Sequence, residues 1–166
     1  KQSAEKFLSG EGSIDLEKFE VLDEEAAEIL SKHEGKLDLN GLMEISDSAA
    51  EILSRQRGEL SLGGLKAISD AAAESLSRHR NKLWLGGLLQ LTDAAAESFS
   101  EHEADLGLWG LKEIPDSAAM RLSRHRGRIW LPTLSDLGQP EKISDALAEC
   151  LSKTQGDLWL PFLPDI

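Results

Sequence analysis

Four tryptophans, Trp84, Trp109, Trp130 and Trp159, are the side chains best suited to chemistry here, and that chemistry is recognition. An indole offers a large flat apolar face and one N–H donor, the combination that dominates binding hot spots. Each Trp has a Gly or Pro two residues away: Trp84/Gly86, Gly107/Trp109, Trp130/Pro132 and Trp159/Pro161. Small partners beside large rings predict indoles packed side by side, with room made for them. The corresponding earlier pairs are Asp38/Asn40 and Ser61/Gly63. On strands about 4.8 Å apart the rings would form a contiguous stripe, on the order of several hundred Å² in area. A patch of that size on a soluble protein marks an interface. The binding candidates are therefore Trp84, Trp109, Trp130 and Trp159, with Asp38 and Asn40 on the same face. The competing use is internal: rings stacked together, or covered by the C-terminal continuation, the 135–144 segment or another copy.

Three further sets of reactive residues read differently. His33, His79, His102 and His125 form a column, with Gln56 and Thr154 in the same place in other units. Neighbouring helices lie about 8–10 Å apart, too far for imidazoles to share one ion without reaching inward. Gln and Thr as replacements point to hydrogen bonds with helix C-terminal carbonyls. The aspartates Asp47, Asp70, Asp93, Asp116 and Asp145 recur at helix starts, and the glycine-rich nonapeptides of a calcium-binding β-helix are absent. The single Cys150 excludes an internal disulfide framework and stands at a variable helix position. No nucleophile–base pair, phosphate loop or zinc signature is present, so the expectation is a non-enzyme with no cofactor and no metal.

The elements that must position these residues follow from one period. Leu37, Leu60, Leu83, Leu106 and Ile129 stand 23 residues apart, preceded by Ile14 and followed by Leu158 after a six-residue insertion at 135–144. Leu39, Leu62, Leu85, Leu108, Leu131 and Leu160 lie two positions on, and this alternation is that of a short strand with one buried face. A third column, Leu42, Leu65, Leu88 and Leu111, follows a Gly in each unit. That Gly suits a tight turn or a positive φ. The second half of each unit has apolar residues at i, i+1 and i+4, as in Ala49, Ala50 and Leu53, which is one face of a helix.

The helix N-cap is either the Ser/Thr or the following Asp, with Pro115 favouring Asp116 in its unit and Asp23 favouring the earlier position. Gly35, Gly58, Asn81, Gly127 and Gly156 mark expected left-handed helix ends, and Ala104 an end expected to be strained or frayed. Arg78 and Arg80, Glu101 and Glu103, Arg124 and Arg126 alternate in sign between units, predicting inter-repeat ion pairs on the helix face.

Strand, helix, strand in constant order requires parallel strands joined by right-handed crossovers. The expected fold class is α/β: a right-handed α/β solenoid with a parallel sheet on one face and helices on the other. Residues 1–166 read as one repeat domain, with units starting near 14, 37, 60, 83, 106, 129 and 158. The chain begins and ends in mid-repeat, as expected of a piece of a longer array, although the Pro-rich ending also suits a C-terminal cap.

In its columns Leu-x-Leu-x-Gly-Leu-x-x-Ile the chain resembles a leucine-rich repeat protein of a bacterial kind, over residues 14–166. The resemblance implies a non-enzymatic binding scaffold, generally for protein partners. The family's Asn or Cys position holds Leu42, Leu65, Leu88 or Leu111 here, so the usual asparagine ladder is missing and an unusual curvature is expected.

Formal net charge is −12, and residues 1–50 hold five Lys against thirteen Asp and Glu. Nucleic acid and anionic membranes are disfavoured as partners, and no stretch approaches the apolar run of a spanning helix. The functional expectation is recognition of a protein or peptide through the Trp-bearing sheet face. The alternatives are a structural segment whose Trp face packs on another domain or copy, and a carbohydrate-binding module.

Overall fold

The computed structural model describes residues 19–132 together with Leu16, Ala148 and the strand Leu158–Trp159. The regions before Leu16, the 135–144 insertion, Cys150 and the chain end lie outside the described residues, as do the expectations placed on them.

Helices and strands alternate from Glu24 to Trp130. They run α1 (Glu24–Leu30), β1 (Leu37–Asp38), α2 (Asp47–Leu53), β2 (Leu60–Ser61), α3 (Asp70–Ser77), β3 (Leu83–Trp84), α4 (Asp93–Ser100), β4 (Leu106–Gly107), α5 (Asp116–Leu122), β5 (Ile129–Trp130) and β6 (Leu158–Trp159). The strands form one parallel sheet in sequence order, with Leu37, Leu60, Leu83, Leu106, Ile129 and Leu158 in mutual register. The β5–β6 pair keeps this register across the longer sixth unit. The chain is an α/β solenoid of repeated helix–strand units.

The leucine columns and the alanine pairs meet in one continuous core. Leu39, Leu62, Leu85 and Leu108 are fully buried, as are Ala49, Ala50, Ala72 and Ala73 on the facing sides of α2 and α3. Alanine carries only a methyl group, so the inner face of each helix is thin and the strand leucines pack up to it in the same core. The core is closed by neighbours, not within a unit.

The glycines explain how close neighbours come. A methyl group on Gly58 would lie 2.1 Å from the carbonyl oxygen of Gly35, and one on Gly87 would lie 2.1 Å from that of Gly63. Neither residue has a positive φ. This corrects the expected left-handed helix ends: Gly58 and Gly127 are placed by stacking of turn on turn, and Gly35 lies under the His33 ring. The helices also stop several residues before these positions, at Leu30, Leu53 and Leu122. The frayed end expected near Ala104 is not found, since α4 spans eight residues and has the same length as α3.

N-caps occupy the earlier of the two candidate positions. Asp23, Ser46, Ser69 and Thr92 accept from the backbone N–H groups of Ala26, Ala49, Ala72 and Ala95. In α5 the cap residue is Pro115, which has no oxygen to offer, and Asp116 is the first helical residue, not the cap. The aspartates act between repeats instead. Asp47 accepts from the Ser69 hydroxyl, and Asp70 accepts from that of Thr92 at 2.6 Å. Where Pro115 lacks a hydroxyl, Ser117 supplies one to Asp93 at 2.7 Å.

A second ladder runs at the other helix ends. Gln56 donates from Nε2 to the carbonyls of His33 and Gly35 at 3.0 and 2.7 Å. His79 sets its ring nitrogens against the carbonyls of Ser54 and Gly58. His102 contacts Ser77 O and His125 contacts Phe99 O through Nδ1, each at 3.1 Å. Every partner belongs to the preceding repeat, so these side chains staple one helix end to the next. The His102 and His125 rings also stack, with centroids 5.9 Å apart, closer than helix spacing alone suggested.

Charges on the helix face pair otherwise than expected. No ion pair joins Arg78 or Arg80 to Glu101 or Glu103 among the described residues. Arg78 pairs within its own helix to Glu74 at 2.7 Å, while Glu97 receives Arg121 at 2.8 Å and also Arg124. Glu74 stands one turn before Arg78 and within its direct reach, whereas Glu97 is reached from the following repeat. Hydrogen bonds from Arg121 and Arg124 hold the Glu97 carboxyl below its ordinary pKa.

Two consequences are measurable. Gly87→Ala, whose methyl meets backbone, is expected to cost about 1–3 kcal/mol in urea denaturation; an unchanged midpoint would contradict the stacking account. Burial, above all, holds His79, His102 and His125 below the ordinary imidazole pKa, outweighing the carbonyl contacts that favour the charged form. The folded chain then binds protons less well than the unfolded one. Their contribution to stability is complete above about pH 6.5 and is lost as pH falls through that value toward the lower folded pKa. Stability should drop between pH 8 and pH 5.5, and a triple His→Gln variant, following the example of Gln56, should flatten that drop.

Candidate functional site

The side chains that point away from the core form three columns on the sheet. Lys36, Glu59, Lys82, Asp105 and Arg128 precede the strands, Asp38, Ser61, Trp84, Gly107 and Trp130 lie on them, and Asn40, Gly63, Gly86, Trp109 and Pro132 follow. Alternation of side chains along each strand puts all three columns on one face.

The rings meet across this grid. Trp84 and Trp130 lie two strands apart, yet their ring centroids are 5.0 Å apart at 74°, an edge-to-face contact. Gly107 stands between them in register with both and has no side chain to separate them. Trp109 joins from the next column, 5.7 Å from Trp84. A methyl on Gly86 would fall 2.1 Å from the Trp109 ring, and one on Gly107 would come within 2.5 Å of both Trp109 and Trp84. The small residues at these positions are thus required by the rings lying over them. Trp109 remains 48% exposed, while Trp84 and Trp130 are half-buried.

The polar end of the grid is tied together. Asn40 Oδ1 accepts from the Ser61 hydroxyl at 2.8 Å and from the Gly63 N–H at 2.6 Å, linking β1 to β2. Asp38 accepts from the Asn40 N–H. Lys36 bridges Asp38 and Glu59 at 3.4 and 3.7 Å. One open depression of about 410 Å³ is lined by this polar group and by Trp84, Trp109 and Trp130 together.

Five of the six candidate residues, Asp38, Asn40, Trp84, Trp109 and Trp130, therefore share one surface. Trp159 is paired in register with Trp130 through its backbone, and its side chain lies outside the described residues. Asn40 is already engaged through its carbonyl oxygen, so it offers a ligand only its amide N–H groups. Lys36 and Glu59 were missed by attending to two outward positions per strand, and Ser61, although read as outward, was not singled out. The same alternation, carried one step back from the first leucine, would have found the charged column.

Among the described residues no group of three or more His, Cys, Asp or Glu could hold a metal ion, and no helix is long and apolar enough to cross a membrane. No protein-family model, curated protein or solved structure matches the chain.

The glycine beneath the rings gives a direct test. Gly107→Ala should displace Trp84 and Trp109, changing the near-ultraviolet circular dichroism. The denaturation midpoint should move less than in Gly87→Ala, because side chains yield more cheaply than backbone. An unaltered aromatic spectrum would mean that the rings do not rest on Gly107.

Proposed function

We propose that the chain is a non-enzymatic binding scaffold of the bacterial leucine-rich-repeat kind, taking a protein or peptide segment on the Trp-bearing face of its sheet. The observation that supports this most is the contiguous cluster of Trp84, Trp109 and Trp130 beside an open depression, with Trp109 half exposed. Exposed, clustered indoles flanked by polar groups have the composition of an interface centre with its rim. The groups most suited to general base chemistry, His79, His102 and His125, are buried against backbone carbonyls, which fits a scaffold better than an enzyme. The net charge of −12 argues against nucleic acid and anionic membranes.

A structural role in a longer array is the second reading. It draws on the same rings, because the contact of Trp84 and Trp130 at 5.0 Å already shields part of each from solvent.

Selection of displayed peptides on the wild-type chain, with counter-selection on a Trp84→Ala/Trp109→Ala/Trp130→Ala variant, separates the two. A recognition face yields peptides that lose about 2 kcal/mol or more of affinity on Trp109→Ala alone. Peptides that bind the triple variant equally well would remove the proposal. Tryptophan emission that shifts to the red on dilution would favour packing against another copy.

A further inference from the structure

A single level of the sheet carries a carboxylate, a small residue and an indole on three adjacent strands: Asp38 pairs in register with Ser61, and Ser61 with Trp84. At about 4.8 Å per strand, the carboxylate-bearing and indole-bearing strands stand about 10 Å apart. Between them on that level stands the Ser61 side chain, buried and donating to Asn40, whose amide lines the same depression. Glu59 joins from the charged column of the same strand as Ser61 and lines the same depression. The space over Ser61 is thus floored by a small hydroxyl and bounded by two carboxylates and an aromatic ring.

That space already attracts a cation. The Lys36 ammonium lies 3.4 Å from Asp38 and 3.7 Å from Glu59. Both contacts are long, and the lysine side chain is 56% exposed, so the pairing is weak and readily displaced. Lys82, the next cation of that column, is drawn instead toward Asp105 at 3.9 Å. The carboxylates of the depression outnumber its one ammonium, and the chain as a whole carries −12.

From this, and resting on the proposed recognition role, we infer that the face takes a peptide carrying a cationic side chain, preferably arginine. Its guanidinium sits over Ser61, against the Trp84 indole, and replaces Lys36 between Asp38 and Glu59. A planar guanidinium can stack on an indole and bond a carboxylate at its edge together, which an ammonium does less well. The acidic chain favours approach of a basic partner. Lys36 holds the site while it is empty and competes with whatever enters.

The competition makes the test sharp. The probes are the capped tripeptides Gly-Arg-Gly, Gly-Gln-Gly and Gly-Glu-Gly, titrated while the indole N–H signals are followed by NMR. The arginine peptide should bind with a dissociation constant on the order of millimolar, the glutamine and glutamate peptides more weakly. Lys36→Gln should tighten arginine binding by about two- to fivefold, the range of one displaced surface ion pair. Asp38→Asn with Glu59→Gln should weaken it by about tenfold; the asparagine keeps an acceptor for the Asn40 N–H, so the strand edge is preserved. Equal binding of the arginine and glutamine peptides, or no gain from Lys36→Gln, overturns the inference. Neutral peptides that depend on Trp109 in the display selection would overturn cationic specificity and leave the recognition face standing. Displayed peptides that bind the triple Trp variant equally well, together with an arginine peptide that leaves the indole N–H signals unmoved, would remove both.

Discussion

Adjacent turns of this solenoid touch backbone to backbone, and the rest of the structure depends on that approach. At Gly58, Gly64, Gly87, Gly110 and Gly127 even a methyl group would come within 2.1–2.3 Å of a carbonyl oxygen of the preceding turn. Glycine costs conformational entropy on folding, and here close stacking offsets that cost. Close turns let two-residue strands pair at all: the N–H of Leu37 reaches Glu59 O at 2.8 Å, and that of Leu39 reaches Ser61 O at 2.8 Å. Strands this short could not hold a register by their own hydrogen bonds. The register is imposed from the turns on either side.

Because each unit is completed by its neighbour, polar satisfaction is also shared between units. Asp47, Asp70 and Asp93 bind hydroxyls at the next helix start, and Gln56, His79, His102 and His125 bind carbonyls at the previous helix end. One set of links points forward along the array and the other points back. A repeat removed from this context would bury its apolar face against nothing and leave both kinds of polar group unmet. In such an array stability resides in the junctions more than in the units. The ladder of Gln and His therefore ties each helix end to the one before it.

The fold was legible because it is written in columns. Leucine alternation, paired alanines and a constant spacing each repeat several times, so a single irregular position could not mislead. The candidate surface was legible for a related reason: the column Asp38, Ser61, Trp84, Gly107 and Trp130 varies where the scaffold does not. What stayed hidden depends on distance across units. Nothing in a single unit says that Asp47 serves the Ser69 hydroxyl, or that Gly58 is small because Gly35 O lies behind it. The alternating charges near Arg78 and Glu101 suggested pairs between helices, but Glu74, one turn away on the same helix, is the nearer partner for Arg78. Pro115 hid the cap position, because it breaks the one column that would have identified it.

Gly107 has an effect beyond the room it makes. By removing one side chain it brings a ring on the third strand into contact with a ring on the fifth, a step of two units where the scaffold beneath advances one. The flanking charges keep the same beat: Lys36, Glu59, Lys82, Asp105 and Arg128 alternate in sign from strand to strand. Excising one internal unit, such as the one bearing β4, would preserve the core and both ladders in kind. It would also set Trp84 directly against Trp130, and Lys82 beside Arg128. Excising two adjacent units would leave the alternation of charge unbroken. The scaffold therefore tolerates changes of length in single units, whereas its outer surface has a parity, and only even changes keep it in phase.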